Sequence, residues 1–296
     1  MSCMIGIISY LPDNELRSQR LEASRVQIEW LNKLLPNTRK LSICQRYNKD
    51  ELPQPDYQLY TEGIGAANAR NIILKEFYQT DYDWLFLCDD DTVAYQYYHY
   101  EDFIHDIVNN PDKFNGIDAV SAVEPEYHPY KKLNYQDRAN LTYYKFEPRE
   151  LNSGSATSII RNVNKYYDTE VYYPDIDATT GEGREDMEFL FDWLKHGFTW
   201  YTMDTWIRKS LMFDKSSLFG KDTKSRDKLL MTCLDNICKR YAQDGLQRLS
   251  NGKITWSAFN DRYNKSKKVL YIKREKPIEF EDNVKPKEKQ FSKKLF

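Results

Sequence analysis

Trp84-Leu85-Phe86-Leu87-Cys88-Asp89-Asp90-Asp91-Thr92 is the stretch that decides how this chain is read. Five consecutive residues that are apolar on both faces suit a central strand covered by helices on each side. The three carboxylates that follow sit where open α/β sheets bind ligands, outside the carboxyl ends of the strands. Adjacent carboxylates repel one another unless a cation neutralises them. Mg2+ or Mn2+, held by one or two carboxylates and completed by phosphate oxygens, is the expected occupant, which makes the cluster a candidate holder of a cation and a diphosphate. Asp89 and Asp91 are two residues apart, so their side chains are expected to point the same way, with Asp90 turned elsewhere, toward a ribose or the backbone. The same residues also suit a polar turn or helix cap.

Working outward, an alternation of strand and helix precedes this stretch. Ile5 to Tyr10 reads as a first buried strand, and Pro12-Asp13-Asn14 ends it and caps a helix over about Glu15 to Leu35, with Leu21, Ile28, Leu31 and Leu35 at helical spacing. Lys40 to Arg46 and Tyr57 to Thr61 are further strands. Gly63 and Gly65 then open a helix striped by Ala66, Ala69, Ile73 and Phe77, and Ala119 to Val123 is the next strand. The spacing predicts an α/β fold with a mostly parallel sheet. Beyond Pro125 come an aromatic loop, strands at Leu141 to Phe146 and Ser155 to Arg161, a loop over Asp175 to Gly183, a helix over Glu185 to His196, a strand at Phe198 to Met203 and a helix over about Arg226 to Ala242. The reading divides the chain into a core over 1–215, a helical extension over 216–264 and a Lys-rich, partly disordered tail over 265–296.

Five scattered cysteines in 296 residues, with no Cys-x-x-Cys pair, suggest neither a disulfide framework nor a zinc site and fit a reducing setting. The apolar N-terminal run is too short for a signal peptide and no stretch is long enough to span a bilayer, so a soluble, cytoplasmic protein is expected. Net charge is only −2, yet residues 265–296 carry 11 Lys and Arg against 5 Asp and Glu. Basic charge is therefore concentrated at the C-terminus.

Four features in order, the strand ending at Ser9-Tyr10, Gly65-Ala66-Ala67-Asn68-Ala69-Arg70-Asn71, Leu87-Cys88-Asp89-Asp90-Asp91, and Gly183-Arg184-Glu185-Asp186 before an amphipathic helix, resemble the GT-A class of nucleotide-sugar glycosyltransferases, particularly its inverting, Asp-x-Asp members. The resemblance covers roughly 1–215 and implies a GT-A type, mostly parallel mixed sheet flanked by helices, with a donor half over about 1–125 and an acceptor half over about 126–215. It implies that Ser9 and Tyr10 line the nucleotide pocket, that Arg70 and Asn71 lie beside base and phosphates, that Asp89 contacts the ribose side, and that Asp91, with Asp89, binds Mn2+ or Mg2+. It implies further that a UDP-sugar is the donor, that Asn152 and Gly154 lie near the transferred sugar, and that Asp186 is the general base, with Glu185 in support. Glu185 and Asp186 equally suit plain capping of a helix N-terminus. Relatives often add a late histidine ligand, whereas His99, His105, His128 and His196 all lie at or before 196, so Asp204, Asp214 or water is left for that place. Asp89-x-Asp91 after a strand also matches a haloacid-dehalogenase-type phosphatase with Asp89 as nucleophile, although that motif normally sits on the first strand.

For the acceptor, the basic tail, Tyr95 to Tyr100 and Tyr127-His128-Pro129-Tyr130-Lys131-Lys132 mix rings and lysines as base-stacking grooves do. The Tyr-, Asn-, Lys- and Asp-rich composition resembles tailed-bacteriophage proteins, and some phage GT-A enzymes glycosylate hydroxymethylated pyrimidines. By that resemblance the acceptor is 5-hydroxymethylcytosine in phage DNA, flipped out to reach Asp186, and the location a host cytoplasm. A saccharide or protein acceptor is the alternative.

Overall fold

A computed structural model describes residues 3–11, 17–48, 51, 57–90, 92–93, 98–123, 143–149, 157–174, 185–206, 208–209, 223–256 and 268–274. The first half runs β1 (Cys3–Tyr10), α1 (Arg17–Leu34), β2 (Lys40–Gln45), β3 (Tyr57–Thr61), α2 (Ala66–Tyr78), β4 (Trp84–Asp89), the two-residue β5 (Thr92–Val93), α3 (Tyr98–Asn109) and β6 (Ala119–Val123). The second half runs β7 (Tyr143–Pro148), β8 (Ser158–Arg161), α4 (Val163–Tyr167), α5 (Glu185–Lys195), β9 (Trp200–Trp206), β10 (Arg208–Lys209), α6 (Thr223–Arg240), β11 (Leu246–Arg248), β12 (Ile254–Trp256) and β13 (Leu270–Lys273).

Nine strands form one sheet in the order β13-β7-β9-β6-β8-β4-β1-β2-β3. β1 pairs in parallel with β2 and β4, β2 with β3, and β6 with β9, while β8 and β7 run antiparallel to their neighbours. Seven of the nine strands therefore point one way, as the mostly parallel α/β reading requires. β5 pairs with β10, and β11 with β12, in two small ribbons.

Successive side chains of β4 go to opposite faces and so to two cores. Leu85 and Leu87 join one that α2, α5 and α6 cover, through residues such as Ile73, Phe77, Leu190, Trp193, Leu234 and Ile237. Trp84, Phe86 and Cys88 join the other, which α1 and α3 cover with Ile28, Leu31, Phe103 and Ile104. This is why the run must be apolar throughout. The approach of α2 to β1 depends on Gly6, where an added Cβ would lie 2.4 Å from Ile73 Cγ2. Gly65, at φ 83°, supplies the left-handed turn into α2. The preceding amides of Ile64 and Gly65 both donate to Gln45 Oε1 at 3.0 Å, tying this turn to the end of β2.

The strands and helices expected over 3–90 recur within a few residues of their predicted bounds, and so do α5 and α6. Two expectations change. Residues 270–273 are not tail: they form β13, an edge strand pairing antiparallel with β7. Arg274, which the sequence reading places in the basic tail, is buried and ion-paired to Asp102 of α3, with its guanidinium carbon 5.7 Å from the Tyr144 ring centre. The helical extension packs into the core that α2 and α5 share, fastened by Arg240, which donates from Nε to Glu188 Oε1 at 2.9 Å. α3 and the β11–β12 ribbon were not anticipated. Among the described residues no helix is long and apolar enough to cross a membrane.

Candidate functional site

The strand order 3-2-1-4 turns at the boundary of β1 and β4, and the crevice at such a switch point, outside the carboxyl ends, is the place an open α/β sheet offers a ligand. Ser9, Tyr10 and Asp89 end those two strands. α2 follows β3 and starts at the same edge, with no side-chain cap on its first turn, so its positive end faces the crevice side of the sheet.

Arg70, in the second turn of α2, is the centre of the arrangement. Its Nη2 donates to Asp89 Oδ1 at 3.1 Å and its Nη1 to Glu185 Oε1 at 3.0 Å. One guanidinium thus joins carboxylates that are 96 residues apart in the chain but meet at one crevice. Arg70 is 4% exposed, and its guanidinium carbon sits 5.1 Å from the centre of the Tyr173 ring, which stacks on Phe189 at 4.1 Å and 6°. Burial alone would make Arg70 easier to deprotonate, but Asp89, Tyr173, Glu185 and Asp186 more than offset it and hold the cation firmly charged. Burial, opposed by Arg70 and reinforced by Asp186, pushes the Glu185 carboxyl above the usual range. Asp186, in the first turn of α5, is partly exposed, and its Oδ1 accepts from the Met187 amide at 2.9 Å. Three carboxylates against one guanidinium leave two negative charges in excess when all are ionised.

Asp90 takes no part in this. Strand alternation turns it to the α1 side, where it is completely buried. Oδ1 accepts from Arg20 at 2.5 Å, and Oδ2 from Ser24 at 2.7 Å and Tyr47 at 2.9 Å. Its expected contact with ribose is corrected: a carboxylate with no exposed surface cannot touch a ligand. Asn71 is corrected too. Its side-chain amide donates to the Tyr173 carbonyl at 3.0 Å and accepts from the Tyr173 amide at 2.8 Å, so it clamps the segment leading to α5 instead of facing a base. Tyr78 adds a second clamp, donating to the Val171 carbonyl at 3.0 Å. Arg70, expected beside the base and phosphates, spans the two carboxylates at the crevice.

Ser9 is buried, its hydroxyl 3.5 Å from that of Ser42. Tyr10 is partly exposed at the crevice, its hydroxyl accepting from Arg46 Nη1 at 3.4 Å while the guanidinium carbon lies 5.7 Å from the ring centre. Asp91, Asn152, Gly154 and Asp214 lie outside the described residues, as do the side chain of Asp204 and most of both aromatic clusters. His105 and His196 are exposed. Among the described residues no three Asp, Glu, His or Cys side chains converge closely enough to share a metal. The donor set still suits a hard cation: Asp89, with Asp91 two residues on, offers oxygen ligands and a surplus of negative charge, to be completed by phosphate oxygens and water.

Sequence reading missed Tyr173, whose loop position carries no pattern. It also missed the partners of Asp90, and for two of them a signal existed: Arg20 and Ser24 lie one helical turn apart on the buried stripe of α1.

No family model matches this chain, and no curated protein does. Among solved structures, a provisionally assigned nucleotide-diphospho-sugar transferase from Desulfovibrio desulfuricans G20 is 11% identical over 81% of this chain and 99% of that one, at a TM-score of 0.44. A mannosyltransferase from Pyrobaculum calidifontis, in complex with GDP-Man and Mn2+, is 10% identical over 81% of this chain at 0.43, and the match spans only 63% of that longer chain. The inositol-1-phosphate CTP transferase from T. maritima is 8% identical over 81% and 98%, at 0.40. With every TM-score below 0.5 these likenesses carry no weight by themselves, and the chemistry must come from Asp89, Arg70, Glu185 and Asp186.

Proposed function

We propose that the chain is a glycosyltransferase that moves a sugar from a nucleotide sugar, such as a UDP-sugar, to an acceptor hydroxyl by direct displacement. The observation that carries this reading is the Arg70 bridge, which brings the strand-end carboxylate Asp89 and the α5 carboxylates Glu185 and Asp186 to one crevice at the β1/β4 switch point. A donor half and an acceptor half of a transfer site need that adjacency; a turn or a helix cap does not.

In this reading Asp89, with Asp91, holds Mn2+ or Mg2+, which supplies charge neutralisation for the departing diphosphate. Asp186 accepts the proton of the acceptor hydroxyl as its oxygen bonds to the sugar carbon and the bond to the diphosphate breaks, inverting that carbon. Arg70 keeps Asp89 oriented and adds positive charge beside the leaving group. Its buried Nε has no partner among the described residues and is a donor for which a phosphate oxygen is a fitting acceptor. Glu185, raised in pKa, shares Arg70 and supports Asp186. Tyr10 and Arg46 line the mouth where the nucleoside would enter.

The acceptor we propose is a hydroxymethylated cytosine in DNA, supported by the excess of lysines over 265–296 and by the ring-rich segments of the acceptor half. Incubation with several nucleotide sugars, Mn2+ and hydroxymethylcytosine DNA, followed by nucleoside mass spectrometry, tests donor and acceptor together. Release of nucleoside diphosphate without any base adduct would retain the transferase and remove the DNA acceptor. No release with any donor, or release undiminished in Asp89→Asn, would sink the reading.

A further inference from the structure

The edge of the sheet farthest from β3 carries a surface that the donor site does not use. Tyr144 and Phe146 of β7, with Leu270 and Ile272 of β13, face the core beneath α3. The intervening residues, Tyr143, Lys145, Tyr271 and Lys273, therefore share the opposite face. The antiparallel register sets Tyr271 opposite Lys145 and Lys273 opposite Tyr143, so rings and ammonium groups alternate like the squares of a checkerboard. Among the described residues Tyr143 is 47% and Tyr271 65% exposed, although exposed rings are costly to leave in water. Lys145 is paired with Glu147 at 2.5 Å, but Lys273 and Lys268 are exposed, and Lys265, Lys267 and Lys276 flank the strand in the sequence.

We propose that this β7–β13 face is a binding platform for single-stranded DNA. Two exposed rings on diagonal positions of neighbouring strands, about 7–8 Å apart, can each take one unstacked base. The lysines at both ends of β13 supply the positive charge that phosphates need. Neither ring stacking nor phosphate neutralisation calls for a 2′-hydroxyl, so single-stranded DNA, the acceptor class proposed above, suits the face. The chemistry favours a nucleic acid over a neutral glycan because a neutral chain would leave the lysines unused. β13 runs parallel to β4, so Lys273 and Tyr143 lie at the same sheet edge as Asp89, five and four strand spacings away, or about 24 and 19 Å. A strand seated there is thus within reach of the crevice. The inference deepens the acceptor side of the proposed function and rests on that reading only for its purpose, since binding is measured with no donor present.

The test is fluorescence anisotropy of a labelled twelve-residue oligothymidylate with the full chain. The expected result is binding that weakens with salt, that falls about tenfold or more in each of Tyr143→Ala and Tyr271→Ala, and that survives in Tyr271→Phe. Lys268→Gln with Lys273→Gln should lower the log–log salt slope by about 1.4. All four side chains are exposed, and unchanged thermal melts confirm that the variants fold. Asp89→Asn must lose donor turnover and keep this binding, which separates failure of the transferase reading from failure of the platform. Affinity unchanged in the double tyrosine variant, or lost only on deleting 275–296, would overturn the proposal. Tighter binding of a neutral dextran oligomer than of the oligothymidylate would overturn it too, assigning the rings to a saccharide.

Discussion

Asp89 and Asp90 are neighbours at the end of one strand and live in opposite environments. Asp90 faces α1, where Arg20, Ser24 and Tyr47 satisfy its fully buried carboxylate. Asp89 faces α2 and α5, where one guanidinium is shared among more carboxylates than it can neutralise. In the first cluster one cation meets one carboxylate, both of whose oxygens are hydrogen-bonded, and its effect is on stability. In the second, among the described residues, Arg70 alone pairs with both Asp89 and Glu185, and in the proposed function a bound cation takes up the remaining charge. A buried ion pair by itself therefore says nothing about function, while an unbalanced one at a strand's carboxyl end does.

The largest expected effects separate these two roles. Asp89→Asn should lower nucleotide-sugar turnover by roughly a thousandfold or more, as loss of several kcal/mol of charge stabilisation implies, and shift the thermal midpoint little. Asp186→Asn should cost about 10²–10⁴ in kcat with the structure intact, read in the same assay. Asp90→Ala should do the reverse: leaving Arg20 buried without its carboxylate costs about 3–5 kcal/mol in urea melts, while the protein that remains folded keeps its turnover. An Asp90 variant that melts normally but is inactive would break the comparison. Gly6→Ala drives a methyl group into Ile73 at the seam between β1 and α2 and should cost about 1–3 kcal/mol, recovered in part by Ile73→Ala in a double-mutant cycle. The smallest effect is at Tyr173. Removing the ring beneath Arg70 in Tyr173→Leu should cost on the order of 1–2 kcal/mol and some of kcat, while Tyr173→Phe should be close to wild type.

The parallel half of the sheet was legible because each of its strands is a short apolar run bounded by turn residues, and α1 and α2 show their stripes at helical spacing. The carboxylates Asp89, Glu185 and Asp186 were legible as residue types in particular places. What holds them was not. The Arg70–Glu185 contact spans 115 residues, and no local pattern encodes a partner at that distance. The roles expected of Asn71 and Asp90 went astray for one reason: family position assigns a polar residue to a ligand, while the fold had used both to fasten secondary elements together. β13 was missed because lysines surround it. Its alternation over Leu270, Tyr271, Ile272 and Lys273 is a strand signal only four residues long, set in a composition that argues for solvent.

That late strand has a consequence for how the protein is made. β13 completes the sheet by pairing with β7, which leaves the ribosome about 125 residues earlier; at ~5–20 residues per second, β7 waits roughly 6–25 s with one side unpaired. During that interval its backbone is an open template for any other nascent chain. The charged side chains along β7, Lys145 and Glu147, and the lysines that arrive with β13 are the residues that discourage a wrong partner while the right one is still being synthesised.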